Sequence, residues 1–146
     1  AALCEDEPSL IANLANISAL LFERLASINW AGFYLIAPDK KGIDQELVSG
    51  PFQGRAACVR IPISRGVCGS AVAQGTTVVV QDVHKFDGHI ACDAASNSEI
   101  VVPITVNGKV AAVLDIDSPN LARFDEEDKA GLEQLVRFVE TIWPNV

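Results

Sequence analysis

Apolar residues recur every three to four positions through Leu10, Leu14, Ile17, Leu20, Leu21 and Leu25. That spacing puts them on one face of a helix, and Pro8-Ser9 just ahead supplies an entry signal. The pattern predicts an amphipathic packing helix over 8–27. Beyond it the period changes. Residues 29–37 and 45–52 are β-prone runs joined by the polar Pro38-Asp39-Lys40-Lys41-Gly42, which predicts a hairpin with a long connection. Ala57 to Ile63 reads as a short strand. Gly66 to Gly75 reads as a short helix closed by its terminal glycine, and Thr76 to Gln81 as a further short strand.

From Asp82 to Ser98 neither period persists. The segment is polar without being low in complexity, and it carries both histidines, Cys92 and Gly88. Long irregular stretches inside a domain are usually functional or disordered; this one is expected to be ordered and functional. Glu99 to Val106 and Lys109 to Asp117 flank Asn107-Gly108, the strongest short hairpin signal, and predict two antiparallel strands. Phe124-Asp125-Glu126-Glu127-Asp128 opens a last helix, with Asp125 as N-cap and acids on the positive end of the dipole. Leu132, Leu135, Val136, Val139 and Ile142 form its apolar face. The expected class is α+β, an antiparallel sheet with the terminal helices on one face and the irregular loop on the other.

A length of 146 residues suits one domain over 1–146, with an ordered core over 8–142. Composition changes the picture mainly by exclusion. With 49% hydrophobic and 21% charged residues, the chain lies outside the disordered regime. A net charge of −8 and the lack of any cluster of Lys or Arg argue against a nucleic-acid partner. The longest apolar runs, Val78-Val79-Val80 and Val110 to Leu114, are far below the ~20 residues of a membrane helix. No basic segment precedes an apolar one at the start of the chain, so a soluble, cytoplasmic protein is expected. The chain lacks Met even at position 1, and a trimmed or processed product is expected.

Four cysteines in such a chain do not read as a disulfide framework, which leaves reactive, metal-binding and merely buried thiols. Cys68 stands near the start of a short helix, where the dipole favours a thiolate. For Cys58 and Cys68 the plain alternative is a small buried hydrophobe. Cys92, in the polar run His89-Ile90-Ala91-Cys92-Asp93, is not needed as filler and is the candidate reactive thiol. Cys4 lies in an acidic terminal stretch and is expected to be inert. His84, His89 and Cys92 fall within nine residues and carry zinc-type donors, but no Cys-x-x-Cys or His-Glu-x-x-His spacing accompanies them. No metal is expected.

Asp115 and Asp117 alternate at the end of an apolar strand, so both leave the face that Ala111 and Val113 occupy. Pairing outward from the Asn107-Gly108 turn sets Glu99 nearly opposite them. Three carboxylates at one sheet end raise each other's pKa, which suits a proton donor or an ammonium site; the alternative is a strand end that has reached solvent. Trp30 and Tyr34, four apart, point the same way on a strand, either as core or as the wall of an apolar pocket.

Five blocks, Asn29-Trp30-Ala31-Gly32-Phe33-Tyr34, Gly50-Pro51-Phe52-Gln53-Gly54, Arg65-Gly66-Val67-Cys68-Gly69, His89 to Glu99, and Leu114-Asp115-Ile116-Asp117-Ser118, resemble the free methionine-(R)-sulfoxide reductases, which are GAF-domain proteins. The resemblance runs from about residue 8 to residue 140. It implies a six-stranded antiparallel GAF sheet flanked by N- and C-terminal helices, usually in a homodimer, and reduction of free L-methionine (R)-sulfoxide. It implies Cys92 as catalytic cysteine, Cys58 as resolving cysteine, and Cys68 as a third that can also pair. Glu99, Asp115 and Asp117 would bind the substrate amine and assist proton transfer, and Trp30 and Tyr34 would surround its methyl group. The implied cycle passes through a Cys92 sulfenic acid and an intramolecular disulfide. Thioredoxin is the implied external reductant, with no bound cofactor. The chain departs from the family in a short N-terminus and a long Ala37 to Glu46 connection. A ligand-sensing module on the same fold is the rival reading, for which the acidic pocket suits no phosphate; a redox sensor using the same thiols is another.

Overall fold

Ser9 accepts a hydrogen bond from the Ala12 amide at 3.2 Å and caps α1 (Leu10–Arg24). The helix stops three residues before the predicted 27. Leu25 is already extended and Ser27 adopts φ 58°. The turn is held from elsewhere, by Ser118 Oγ donating to the Ser27 carbonyl at 2.5 Å and Arg123 Nε donating to that of Ala26 at 2.9 Å. Tertiary bonds thus outweigh helix propensity at this end.

The computed structural model describes residues 2–88 and 95–144. After α1 come β1 (Trp30–Pro38), β2 (Gln45–Gly54), β3 (Arg60–Pro62), α2 (Gly66–Gln74), β4 (Val78–Val80), β5 (Ser98–Val106), β6 (Lys109–Ser118) and α3 (Glu126–Ile142). The six strands form one sheet in the order β3-β2-β1-β6-β5-β4, each pair antiparallel. The α+β class and all six predicted strands are present. β3 is shorter than the predicted 57–63. β2 carries an extra residue between Ser49 and Phe52, a bulge bends its strand, and β3 pairs only with Glu46–Val48 ahead of that bend.

Strand alternation sorts the apolar residues into two cores. Ala31, Phe33, Ile100, Val102, Ile104, Ala112, Leu114 and Ile116 face α1 and α3. Trp30, Tyr34, Val101 and Val113 face α2, where they meet Val67, Cys68 and Ala71. The second face is therefore covered by a helix, where the irregular loop was expected. The small side chains of α2 let it lie close on the sheet. The loop contributes less: a 3-10 turn at Val83–Lys85, capped by Asp82 accepting from the His84 amide, buries Val83 fully in the same core.

The β5–β6 hairpin sets the register of everything at the sheet end. Asn107 and Gly108 take φ 53° and 78°, the left-handed pair of a type I′ turn. Val106 opposes Lys109 and Thr105 opposes Val110, but Ile104 opposes Ala112. Ala111 is the extra residue of a bulge. Simple counting from the turn sets Glu99 opposite Ile116, on the helix-facing side; the bulge moves it directly opposite Asp117. A one-residue slip exchanges the faces of a strand, so Ala111 is what brings Glu99 to the same side as Asp115 and Asp117.

At the other end, Asp125 and Asp128 form a reciprocal capping box for α3, each amide donating to the other's carboxylate at 2.9 Å. Leu132, Val136 and Val139 then bury against the sheet. Cys4, expected to be inert in its acidic terminal stretch, is buried in this core at the end of a 3-10 turn.

Leu114 is fully buried at the centre of the helix-facing core. Leu114→Ala is expected to lower unfolding free energy by about 2–5 kcal/mol, measured by urea denaturation. A loss below about 1 kcal/mol would mean that this face is not close-packed.

Candidate active site

The second face of the sheet carries chemistry at one end because three strands deliver polar groups in one row. Across the sheet Trp30 opposes Asp117 and Asp117 opposes Glu99; one step along, Gly32 opposes Asp115 and Asp115 opposes Val101. Above this row sits the first turn of α2, which contributes Cys68. Its Sγ and one carboxyl oxygen each of Glu99 and Asp115 all lie within 4.8 Å of one another. All three residues are buried, at 4%, 6% and 5% exposure, whereas Asp117 is half-buried. The sheet end is a buried acidic cluster beneath α2 and not a strand that has reached solvent.

Burial decides the protonation states. Glu99 is pushed well above the ordinary carboxylate range, first by desolvation and then by the charges of Asp115 and Asp117, to which its protonated carboxyl donates. Asp115 is also raised by burial, but hydrogen bonds from Glu99, Cys68 and Asp117 oppose the shift. Glu99 is thus the proton holder and Asp115 the acceptor. One oxygen of Asp115, Oδ1, is buried without a hydrogen-bond partner. An orphaned buried carboxylate oxygen is costly and points to a donor that arrives with a ligand.

Cys68 differs from its predicted character. Its position in the first turn of α2 was expected to favour a thiolate through the helix dipole. Burial, followed by the charges of Asp115, Glu99 and Asp117, raises its pKa well above the ordinary thiol value, and the thiol donates to Asp115. A partial charge at a helix end does not match three carboxylates in a dry pocket. Cys68 is a neutral donor and, like Cys4, a free thiol. Cys58 is half-buried beside the same core and is disulfide-bonded. Cys92 and His89 lie outside the described residues. His84 shares a hydrogen bond with Asn97 Oδ1 at 2.9 Å. Among the described residues the group able to hold a metal is Cys68, Glu99 and Asp115, a different set from the His84, His89 and Cys92 considered from sequence.

An aromatic wall stands beside the acids. Trp30 and Tyr34 do point the same way, with ring centroids 5.6 Å apart and planes at 23°. Trp30 Nε1 donates to the Arg55 carbonyl at 3.1 Å. Burial and the neighbouring negative groups, Asp115 foremost, push the Tyr34 hydroxyl far above its ordinary range. The sequence reading missed Phe52, which stacks on Trp30 at 5.1 Å and 16°. A Cβ at Gly32 would overlap Phe52, so the glycine between Trp30 and Tyr34 is what admits the third ring. A glycine inside a strand marks such an approach, and that was the available signal.

Ser96 and Asn97 are tied to the neighbouring strand ends. Ser96 Oγ accepts from Asn29 Nδ2 at 3.1 Å, and the Asn97 amide donates to the Ser118 carbonyl at 2.7 Å. Among the described residues no helix is long and apolar enough to cross a membrane.

The model of the GAF domain family matches residues 12–142. The chain is 58% identical to the free methionine-R-sulfoxide reductase of Escherichia coli K12 over 141 residues, 97% of this chain and 82% of that one. Among solved structures, fRMsr of Staphylococcus aureus in complex with substrate superposes with a TM-score of 0.88 at 54% identity, covering 97% of this chain and 88% of that one. The free methionine-R-sulfoxide reductase of Neisseria meningitidis, in complex with its substrate, gives 0.89 at 48%, covering 97% and 81%. Fold and site together define a GAF-domain protein. Within that class the chain belongs to the free methionine-R-sulfoxide reductases, a family of oxidoreductases.

The raised pKa of Glu99 has a measurable consequence. The unfolded chain releases this proton near 4.5, and the folded protein keeps it to higher pH. The folded state binds more protons between those values, so stability falls as pH rises through the window. Glu99→Gln removes the titration, and its urea midpoint is expected to fall less than that of wild type as pH rises above 4.5. Parallel pH profiles for the two proteins would contradict a protonated Glu99.

Proposed function

We propose that the chain reduces free L-methionine (R)-sulfoxide to L-methionine through Cys92, with Cys58 as the resolving cysteine and thioredoxin as external reductant. The observation that carries this reading is the orphaned Asp115 Oδ1 at the foot of an aromatic wall. A free amino acid supplies an ammonium for that oxygen and for Asp117, and an S-methyl group for Trp30, Tyr34 and Phe52. A peptide-bound residue has no ammonium to offer. The substrate complexes of the Staphylococcus aureus and Neisseria meningitidis relatives support the same substrate class.

In this reading Cys92 attacks the sulfoxide sulfur while Glu99, the protonated acid, gives its proton to the departing oxygen. The sulfoxide sulfur gains two electrons, methionine leaves, and the oxygen remains on Cys92 as a sulfenic acid. Cys58 condenses with that acid, releasing water and forming a disulfide. Thioredoxin's dithiol then reduces the disulfide by exchange. The disulfide-bonded state of Cys58, beside free Cys4 and Cys68, supports Cys58 over Cys68 as the resolving partner. Cys68 keeps its proton and positions Asp115. No step is routed through a metal. The same reading sets the enzyme in the cytoplasm, whose reducing poise suits the two free thiols, as a homodimer, for which the exposed Ile11 and Phe22, three helical turns apart on α1, offer an apolar strip.

Each methionine sulfoxide epimer, supplied with thioredoxin, tests the proposal. Wild type is expected to consume the R epimer alone. Cys92→Ser should release no methionine, Cys58→Ser one per site in a single turnover without recycling, and Glu99→Gln should lower kcat about 10²- to 10⁴-fold. No turnover of either epimer by wild type would sink the enzyme reading. A Cys92→Ser protein that still yields one methionine per site would remove the nucleophile assignment.

A further inference from the structure

The acidic character of this chain is not evenly spread. Residues 47–81 contain no Asp or Glu and three arginines, Arg55, Arg60 and Arg65, in a protein of net charge −8. Cys58 lies in the middle of that stretch. Arg60 is neutralised by Glu46, to which it donates at 2.5 Å. Arg55 and Arg65 are exposed and form no ion pair among the described residues. Next to the disulfide sulfur of Cys58, Val59 is 63% exposed, a β-branched side chain left in water beside a redox-active atom. Its carbonyl accepts from the Ser49 amide, so the backbone there is fixed. The segment leads directly into β3, the edge of the sheet, whose outer side pairs with nothing among the described residues.

We propose that this edge is the docking surface for the dithiol reductant, and that the reductant's thiolate attacks Cys58. The inference rests on the reductase reading above and adds where the electrons enter. An extended edge offers backbone groups for strand-like pairing. Val59 offers the apolar contact, and Arg55 and Arg65 favour a partner with an acidic rim around its thiol. The exchange balances without a further reagent. The attacking thiolate forms a mixed disulfide with Cys58 Sγ, the bond from Cys58 to Cys92 breaks, and its electron pair leaves on the Cys92 sulfur. The reductant's second thiol then attacks its own sulfur in the mixed disulfide, frees Cys58 as a thiolate, and leaves the reductant oxidised. Attack at Cys58 returns Cys92 directly as the thiolate that the next substrate requires.

Two reductants separate docking from chemistry. Dithiothreitol needs no protein surface; thioredoxin does. Val59→Ser and Arg55→Gln are expected to lower kcat/KM for thioredoxin about tenfold each and to leave turnover with dithiothreitol within about twofold. Rising ionic strength should slow the thioredoxin reaction of wild type more than that of Arg55→Gln. A thioredoxin variant whose second cysteine is Ser should be trapped on the peptide containing Cys58, identified by mass spectrometry. Equal losses with both reductants, no loss with either, or an adduct on another cysteine would each overturn the proposal. If wild type reduces the sulfoxide with dithiothreitol but not with thioredoxin, the choice of reductant fails while the enzyme reading stands; if it reduces nothing with either, the enzyme reading itself fails.

Discussion

A carboxylic acid that holds its proton above the ordinary carboxylate range needs to be dry, and to have a second carboxylate near enough to receive its hydrogen bond. In this molecule that requirement is met by parity. The bulge at Ala111 shifts β6 by one residue against β5 and so moves Glu99 from the helix-facing side to the side of Asp115 and Asp117. Without that extra residue the three acids would be divided between two faces, one of them packed against α1 and α3. A buried carboxyl among Ile100, Leu114 and Phe33 would have no acceptor and would destabilise the core. The position of one small residue near a turn therefore governs both the stability of one face and the chemistry of the other.

The remaining parts of the pocket follow from what the acids need. α2 covers the acids with Val67, Cys68 and Ala71, which pack on the same sheet face and leave Glu99 and Asp115 buried. Gly32 removes a side chain so that Phe52 can cross over β1 and stack on Trp30. The aromatic wall and the acidic floor are neighbours in strand register, Trp30 opposing Asp117 and Gly32 opposing Asp115. A ligand with a cation at one end and a soft, apolar group at the other matches that layout.

How much of this is legible from the chain depends on whether the controlling interaction is local. The Asn107-Gly108 turn, the Asp125 cap, the six strands and the helical faces all announce themselves within a few residues, and the structure contains each of them. The bulge at Ala111 does not: Val110-Ala111-Ala112 carries no mark of which residue is extra, and the parity of Glu99 depends on it. The end of α1 is illegible for the same reason, since Ser118 and Arg123 hold the turn at Ser27 from about ninety residues away in the chain. Cys68 shows a conflict of scales. A helix N-terminus is a local signal for a thiolate, and it is overridden by Glu99 and Asp115, which only the folded sheet brings near. The family resemblance carried information that local reading lacked. It grouped the acids and the cysteines before any geometry did.

Cys68 and Cys58 differ in environment. Cys68 sits in the driest and most negative part of the pocket, where a thiolate is least stable, so it serves the carboxylates as a donor. Cys58 is half-buried and followed by an exposed Val59, on the only part of an acidic chain where positive charge collects without acids. Negative potential suits the binding of an ammonium and the storage of a proton, but it works against the approach of any thiolate, whether the protein's own or a reductant's. Separating the two tasks in space removes the conflict. In the proposed cycle the acids would act where the substrate is held, and thiol exchange would take place where the chain has left its acids out.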